Sequence, residues 1–135
     1  MRIEDIVRSK GAGVITVEPT ATVEELVALL GEHRIGAVVV SSDGVHVAGI
    51  VSERDVVRKL GSLGASVLAL PVSEIMTPRE RLITIREGAS LDEAQALMHR
   101  HRLERVLVTN DAFELKGLVT VKDILKATEH PNAAK

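Results

Sequence analysis

The sequence predicts an α/β fold in which two β-α-β-β-α motifs pack as a pseudo-twofold pair. The first observation behind this prediction is an internal repeat, because residues 15–60 align with residues 83–128 without a gap. The second is the apolar spacing inside each copy, which changes between helical and strand periods. The third is the length of 135 residues, which suits one compact domain or two very small ones.

The first copy supplies each element in order. Its pattern predicts a strand over 13–17, a helix over 23–34, strands over 37–41 and 45–51, and a helix over 53–60. Thr22 and Ser52 precede the two helices and are N-cap residues. Gly36 is expected to end the first helix, and Asp43-Gly44 is a hairpin turn signal.

The second copy repeats this plan. Ser90 opens its long helix, strands are predicted over 106–108 and 114–119, and Thr120 opens a last helix that runs to about Thr128. The leading segment Ile3–Val7 also resembles Val72–Met76, at an offset one residue larger. We therefore expect a first motif over 1–62, a linker over 63–71, a second motif over 72–130 and a frayed tail over 131–135.

Composition excludes several function classes. Lys and Arg number 17 against 19 Asp and Glu, which gives a net charge of −2 and argues against nucleic-acid binding. One Phe is the sole aromatic residue, so bases have little to stack on. The lack of cysteine removes disulfides, thiol catalysis and cysteine-ligated metals. No apolar run is long enough for a membrane span and the charged start is unlike a signal peptide, so we expect a cytoplasmic protein.

Two heptads carry the most specific signal. They are Gly49–Asp55 and Gly117–Asp123, and each has glycine, an apolar residue, any residue, Ser or Thr, two residues and then Asp, at a predicted strand-to-helix turn. This pattern resembles the cystathionine-β-synthase (CBS) motif. Because both heptads are in register with a matching helix and strand, the whole chain resembles a CBS-domain pair, or Bateman module.

The two halves resemble different relatives within that family. Residues 1–76 look like small stand-alone CBS proteins, whereas residues 75–134 look like the second CBS motif of bacterial inosine monophosphate dehydrogenases. The second likeness lies in segments 86–89, 101–106, 120–124 and 129–133. The catalytic barrel that follows in those enzymes is not expected here. We therefore hypothesise a natural hybrid or an engineered chimera.

The resemblance implies adenine-nucleotide binding in clefts between the two motifs, and the heptad residues have suitable chemistry. A carboxylate near the start of a helix, at Asp55 or Asp123, can accept hydrogen bonds from both ribose hydroxyls. Ser52 and Thr120, three residues earlier, place a hydroxyl beside free helix N–H groups that suit a sugar or phosphate oxygen. The alternative is that these residues only cap their helices.

The family's base-binding positions and the nearby cations complete the predicted site. An apolar wall with backbone donors and acceptors can hold a purine without aromatic side chains. The matching residues are Ile15, Thr16, Gly36, Ala37 and Val38 in the first copy, and Ile83, Thr84, Arg105 and Val106 in the second. Glu104 and Arg105 replace the small Gly36-Ala37 pair, which bears on the shape and base preference of the second pocket. Phosphate contacts are predicted for Arg54, Lys122, Arg34 and Arg102.

These observations favour a regulatory, signal-transducing module that binds an adenine nucleotide and forms a homodimer through its amphipathic helices. The alternative is a purely structural dimerisation module whose clefts are empty. AMP, ADP, ATP, NAD and S-adenosylmethionine remain open as ligands, as does a guanine nucleotide in the second pocket. No catalytic residues, obligatory cofactor or metal site are expected, and any Mg²⁺ would arrive with nucleotide phosphates. The His99 and His101 side chains point to different faces of their helix and do not suggest a metal site.

Overall fold

The computed structural model describes residues 1–11 and 13–129 of the chain. This part contains two small β-sheets and five α-helices, with short 3-10 helices and loops between them. The helices are α1 (Ile3–Lys10), α2 (Val23–His33), α3 (Glu53–Leu63), α4 (Leu91–His101) and α5 (Val121–Glu129). The strands are β1 (Thr16–Val17), β2 (Ala37–Val40), β3 (Gly49–Ser52), β4 (Thr77–Pro78), β5 (Thr84–Arg86), β6 (Arg105–Thr109) and β7 (Leu115–Thr120). This mixed architecture confirms the predicted α/β class. The predicted tail over 131–135 lies outside the described residues.

The chain divides into two compact units, and one of them is discontinuous in sequence. Residues 14–82 form the continuous unit, whereas residues 1–13 join the segment from residue 83 onward to form the discontinuous unit. The leading segments of the two predicted motifs are therefore exchanged between the units. Helix α1, which contains Ile3–Val7, belongs to the unit of the second copy, and Val72–Met76 belongs to the unit of the first.

The continuous unit has a four-stranded sheet in the order β1-β2-β3-β4. Strand β1 pairs with β2 in parallel, and the other two pairings are antiparallel. Helices α2 and α3 bury one apolar face each, as the helical spacing of Val23, Leu26 and Leu30 predicts. The core residues of this unit are Val23, Leu26, Leu30, Val38, Val40, Val51, Val56, Val67, Val72 and Ile75.

The discontinuous unit repeats the sheet without a fourth strand, in the order β5-β6-β7. Helix α1 packs along β7, where the methyl groups of Val7 lie so close to Gly117 that an added Cβ would stand 2.8 Å from Val7 Cγ2. This close approach gives a physical reason for glycine at the first position of the heptad. The core residues are Ile3, Ile6, Ile85, Ala94, Met98, Val106, Val108, Val119, Ile124 and Ala127.

Most predicted elements are present, but several boundaries differ. Helix α2 ends at His33, one residue before the predicted end, because Arg34 takes a left-handed conformation with φ of 52° and donates its N–H to the Leu30 carbonyl. Gly36 therefore does not end the helix. Helix α3 continues three residues past Leu60, to Leu63. Strand β1 keeps two of the five predicted residues.

A side-chain turn explains why β3 starts at Gly49 and not at Val45. The Asp43 carboxylate accepts the backbone N–H groups of Val45 and His46, both at 2.8 Å, and also contacts the His46 ring. Hydrogen bonds from the side chain and backbone of His46, followed by that from the Val45 N–H, hold the pKa of Asp43 below its usual range. Buried Ser41 adds a hydroxyl hydrogen bond to the same carboxylate at 3.1 Å. These bonds use the backbone donors that a longer strand would need.

Candidate functional site

Two residues of the first heptad form a capping box at the start of α3. The Ser52 hydroxyl accepts the Asp55 N–H at 3.3 Å, and the Asp55 carboxylate accepts the Ser52 N–H at 2.8 Å through Oδ2. The Ser52 hydroxyl also lies 3.0 Å from the same Oδ2. Both residues are half-buried. The helix-capping role considered for these residues is therefore present, and the carboxylate still has acceptor capacity at Oδ1.

The second heptad forms the same capping box and adds a cation. The Thr120 N–H donates to Asp123 Oδ2 at 2.9 Å, and the Asp123 N–H donates to Thr120 Oγ1 at 3.1 Å. In addition, Lys10 Nζ lies 2.9 Å from Asp123 Oδ2 and 2.8 Å from the Leu118 carbonyl oxygen. Lys10 is the last residue of α1, so the discontinuous construction of this unit brings the ammonium to the carboxylate.

Asp123 is ionised at neutral pH. Burial alone would raise its pKa, but hydrogen bonds from the Thr120 N–H and the Lys10 ammonium outweigh burial and hold the pKa below its usual range. A carboxyl whose pKa is lowered on folding stabilises the folded state at every pH above its unfolded value of about 3.9. This stabilisation is lost as the pH falls through the lower folded-state pKa. The carboxylate is therefore a hydrogen-bond acceptor under ordinary conditions.

In the continuous unit, the strand register places the predicted base-binding residues at the same end of the sheet as Asp55. Ala37 at the start of β2 lies opposite Ser52 at the end of β3, and the Gly36 carbonyl accepts the Glu53 N–H at 2.9 Å. The parallel strand β1 begins at the same end of the sheet. The residues that share this end with Asp55 are Ile15, Thr16, Gly36, Ala37 and Val38.

The discontinuous unit has the same arrangement with bulkier residues. Arg105 lies opposite Thr120, and the Glu104 carbonyl accepts the Val121 N–H at 2.9 Å. Arg105 is half-buried where its counterpart Ala37 is buried. The residues that share this sheet end with Asp123 are Ile83, Thr84, Arg105 and Val106. A long charged side chain therefore stands at the position that a small apolar residue occupies in the other unit.

The predicted cations fall into two groups. Arg54 and Lys122 are exposed on the first turn of their helices, one residue before each carboxylate. Arg34 and Arg102 are the C-cap residues of α2 and α4. Arg34 lines a groove between α2 and α3, and Arg102 lines a groove between α4 and α5. Neither groove includes Asp55 or Asp123. Arg34 and Arg102 thus lie at the helix grooves, whereas Arg54 and Lys122 lie within the heptads, next to the carboxylates.

The two grooves are equivalent under the sequence repeat. One has a volume of about 460 Å³ and is lined by Val27, Leu30, Gly31, Arg34, Ile35, Gly36, Glu53, Val56 and Val57. The other has a volume of about 650 Å³ and is lined by Gln95, Met98, His99, Arg100, Arg102, Leu103, Val121, Ile124 and Leu125. Both are open and mainly apolar. Within the described ranges, no three His, Cys, Asp or Glu side chains come together in a way suited to a metal ion.

Lys10 is the site residue that sequence reasoning missed. It lies 113 positions before Asp123, and no local spacing relates the two. The one available signal was the likeness of Ile3–Val7 to Val72–Met76, which marked the leading segment as part of the repeat without showing where it packs. Its place on β7 depends on tertiary packing alone.

Comparison with known proteins decides the family. The model of the CBS domain matches this chain twice, over residues 3–62 and 72–130. The chain belongs to the CBS domain family. These matches cover most of the sequence and include both heptads, so the CBS resemblance predicted from the repeat is confirmed.

Relatives of this CBS pair include a large enzyme and a stand-alone protein. The chain is 40% identical over 121 residues to inosine-5′-monophosphate dehydrogenase from Haemophilus influenzae, an alignment that covers 90% of this chain and 24% of the enzyme. It thus spans about a quarter of the curated relatives' length, in their CBS region. A crystal structure of a CBS-domain-containing protein from Agrobacterium tumefaciens superposes with a TM-score of 0.83 at 30% identity, covering 95% of this chain and 99% of that one.

One solved neighbour of the CBS pair holds a nucleotide. The CBS domain protein from Pyrobaculum aerophilum complexed with AMP has a TM-score of 0.77 and 25% identity, and the match covers 91% of this chain and 89% of that one. The dehydrogenase and both structures match across the two halves together. The hypothesis of a hybrid or chimera therefore gains no support from them and stays a prediction. Within residues 1–11 and 13–129, no helix has the length and apolar character needed to cross a bilayer.

Proposed function

We propose that this CBS pair is a regulatory module that binds adenine nucleotides, with Asp55 and Asp123 as the ribose-binding carboxylates. The observation that carries the proposal is the repeated placement of a half-buried carboxylate beside the open end of an apolar sheet. A carboxylate accepts from two vicinal hydroxyls, and the strand starts offer an apolar wall with backbone groups for a purine. The AMP complex of the neighbour from Pyrobaculum aerophilum supports an adenosyl ligand.

The cations on α3 and α5 extend this proposal to the phosphates. Arg54 and Lys122 stand on the first helical turn, where helix N–H groups also attract anions. A guanidinium can contact a phosphate through two nitrogens, whereas an ammonium acts as a point charge. We propose that phosphates lie along this turn and that any Mg²⁺ enters with them. AMP, ADP, ATP, NAD and S-adenosylmethionine are the ligands to be compared, with GTP included because Arg105 changes the second base position.

The test is a calorimetric titration of the purified protein with each of these ligands. The double variant Asp55→Asn/Asp123→Asn is titrated in the same way. Asparagine keeps a side-chain carbonyl oxygen that can accept the Ser52 or Thr120 N–H, so the capping box and the fold are retained, but with one acceptor oxygen in place of two it cannot also accept from both ribose hydroxyls. We expect the double variant to lose at least about 100-fold in affinity at both sites, the effect of about 2.7 kcal/mol. Asp92→Asn, an exposed acid on the first turn of α4, is the matched control and should bind as the wild type does.

Absorbance gives an independent first measurement. The chain has no Trp and no Tyr, so a purine that copurifies would dominate the spectrum near 260 nm. Unchanged affinity in the double variant would show that the carboxylates only cap their helices. No binding by the wild-type protein to any ligand of the panel would favour the structural dimerisation module instead.

We also propose that a second copy of this chain covers the helix grooves. Each groove presents exposed apolar side chains at equivalent positions of the repeat, namely Val57, 65% exposed, and Leu125, 49% exposed. Val27 on α2, Leu60 on α3 and Val121 on α5 add further exposed apolar area. Apolar surface of this kind on helices of both units favours association.

The oligomeric state tests this interface. Sedimentation velocity should show a dimer for the wild-type protein and a monomer for Val57→Glu/Leu125→Glu, because two carboxylates would have to be desolvated at the interface. Val45→Glu is the matched control, since Val45 is an exposed apolar residue in the hairpin and far from either groove in sequence. A wild-type monomer at micromolar concentration, or a dimer that survives the double substitution, would contradict the proposal.

A further inference from the structure

We infer that Lys10 is a specificity-determining residue, which competes with the ribose diol for Asp123 and makes the second-copy site the weaker of the two for uncharged nucleosides. This inference rests on the proposed ribose role of the two carboxylates. The two carboxylates differ in their contact with a lysine, and neither the repeat nor the heptad pattern predicts this difference.

The contacts of the two carboxylates differ in one respect. Within the described residues, the Asp55 side chain contacts Ser52, whose hydroxyl can rotate away to another acceptor. Asp123 instead holds the Lys10 ammonium at 2.9 Å. That ammonium is itself fixed by a second bond to the Leu118 carbonyl at 2.8 Å. Asp123 therefore has an anchored cation among its donors, in addition to its hydrogen bonds with Thr120.

Counting acceptor positions shows how the cation competes. An ionised carboxylate has about two acceptor positions on each oxygen. At Asp123 both positions of Oδ2 are taken, one by the Thr120 N–H and one by Lys10. A vicinal diol that binds both carboxylate oxygens must displace one of these donors. The Thr120 N–H belongs to the helix cap, so Lys10 is the donor that gives way.

Helix α1 holds Lys10 in reach of the carboxylate. Ile3 and Ile6 are buried in the core of the discontinuous unit, and Val7 packs on Gly117. The helix ends at Gly11, whose φ of 74° turns the chain directly after the lysine. The Lys10 side chain remains 41% exposed and that of Asp123 23% exposed, so a ligand can reach the pair from solvent. A released ammonium can return to the same place because these buried contacts anchor its helix.

The experiment isolates the Asp123 site in an Asp55→Asn background and uses adenosine as the probe, because adenosine has the diol but no phosphate. Lys10→Met keeps a long helix-forming side chain and removes the cation. We expect adenosine to bind Asp55→Asn/Lys10→Met about fivefold more tightly than Asp55→Asn, the upper range of what a solvent-exposed ion pair contributes. Arg8→Met is the matched control, since it removes a positive charge from the same end of α1 and leaves Asp123 untouched.

A carboxyl titration by NMR provides the second readout. The pKa of Asp123 should rise in Lys10→Met and stay unchanged in Arg8→Met, which shows whether the ion pair exists in solution. Unchanged or weaker adenosine binding in the Lys10→Met background would overturn the inference while leaving the ribose sites intact. Absence of adenosine and AMP binding to the wild type and every variant would overturn the proposed function and this inference together.

Discussion

Leu26→Ala is expected to lower the free energy of unfolding by about 3 kcal/mol, within the range found for buried leucines. Leu26 is fully buried in α2 and belongs to the core of the continuous unit. Truncation removes apolar area and leaves a cavity that the surrounding valines fill only in part. The repeat-equivalent position in the discontinuous unit is Ala94, also fully buried, so the same helix position has two different sizes of side chain in the two cores.

Urea denaturation followed by far-ultraviolet circular dichroism measures this loss, because the chain lacks tryptophan and tyrosine for fluorescence. Glu32→Ala on the same helix is the control, and its exposed side chain should change stability by less than about 0.5 kcal/mol. A loss below about 1 kcal/mol for Leu26→Ala would contradict the packing of α2 described above.

Gly49→Ala should cost about 2 to 3 kcal/mol, at the upper end for overpacking a close contact. A Cβ at Gly49 would meet the backbone carbonyl oxygen of Thr77 and would lie 2.9 Å from Met76 Sδ. The carbonyl oxygen is held by the pairing of β3 with β4, so it cannot move without disturbing the sheet. We expect Met76→Ala to leave this cost largely in place.

Gly117→Ala is the matched comparison at the equivalent position of the repeat. There the added Cβ would meet the methyl groups of Val7 at 2.8 and 2.9 Å, which are side-chain atoms. Val7→Ala should therefore relieve the clash and recover most of the stability that Gly117→Ala removes. Recovery of Gly49→Ala by Met76→Ala would instead show that the backbone contact is not the cause of the loss. Both comparisons use the same denaturation assay.

The sequence predicted most of the local structure of this chain. Helix starts at Ser52, Ser90 and Thr120 follow from capping chemistry, and the buried strands follow from runs of aliphatic residues. The end of α2 was predicted one residue late and assigned to Gly36, because glycine commonly takes the left-handed conformation at a helix end, whereas here Arg34 takes it. The late start of β3 depends on the side-chain bonds of Asp43, which periodicity does not report.

The candidate site was predictable in its residues but not in its asymmetry. The heptads place Asp55 and Asp123 from sequence spacing alone, since both lie one helical turn from their N-cap residues. The Lys10 contact joins segments far apart in sequence and depends on which unit α1 packs against. Side-chain contacts across such distances arise from packing, and one sequence contains no periodic signal for them. The roles of these residues toward a ligand stay predictions.

The discontinuous unit has a consequence for the order in which the chain acquires its structure during synthesis. Residues 14–82 can form their own core as soon as they leave the ribosome, whereas α1 must wait for partners such as Ala89, whose carbonyl accepts the Ile3 N–H. At about 5 to 20 residues per second, the 86 residues that follow Ile3 up to and including Ala89 take roughly 4 to 17 s to synthesise. During that interval Ile3 and Ile6 remain in contact with water. Translation speed across residues 14–82 thus sets how long the nascent α1 segment is exposed to chaperones and proteases.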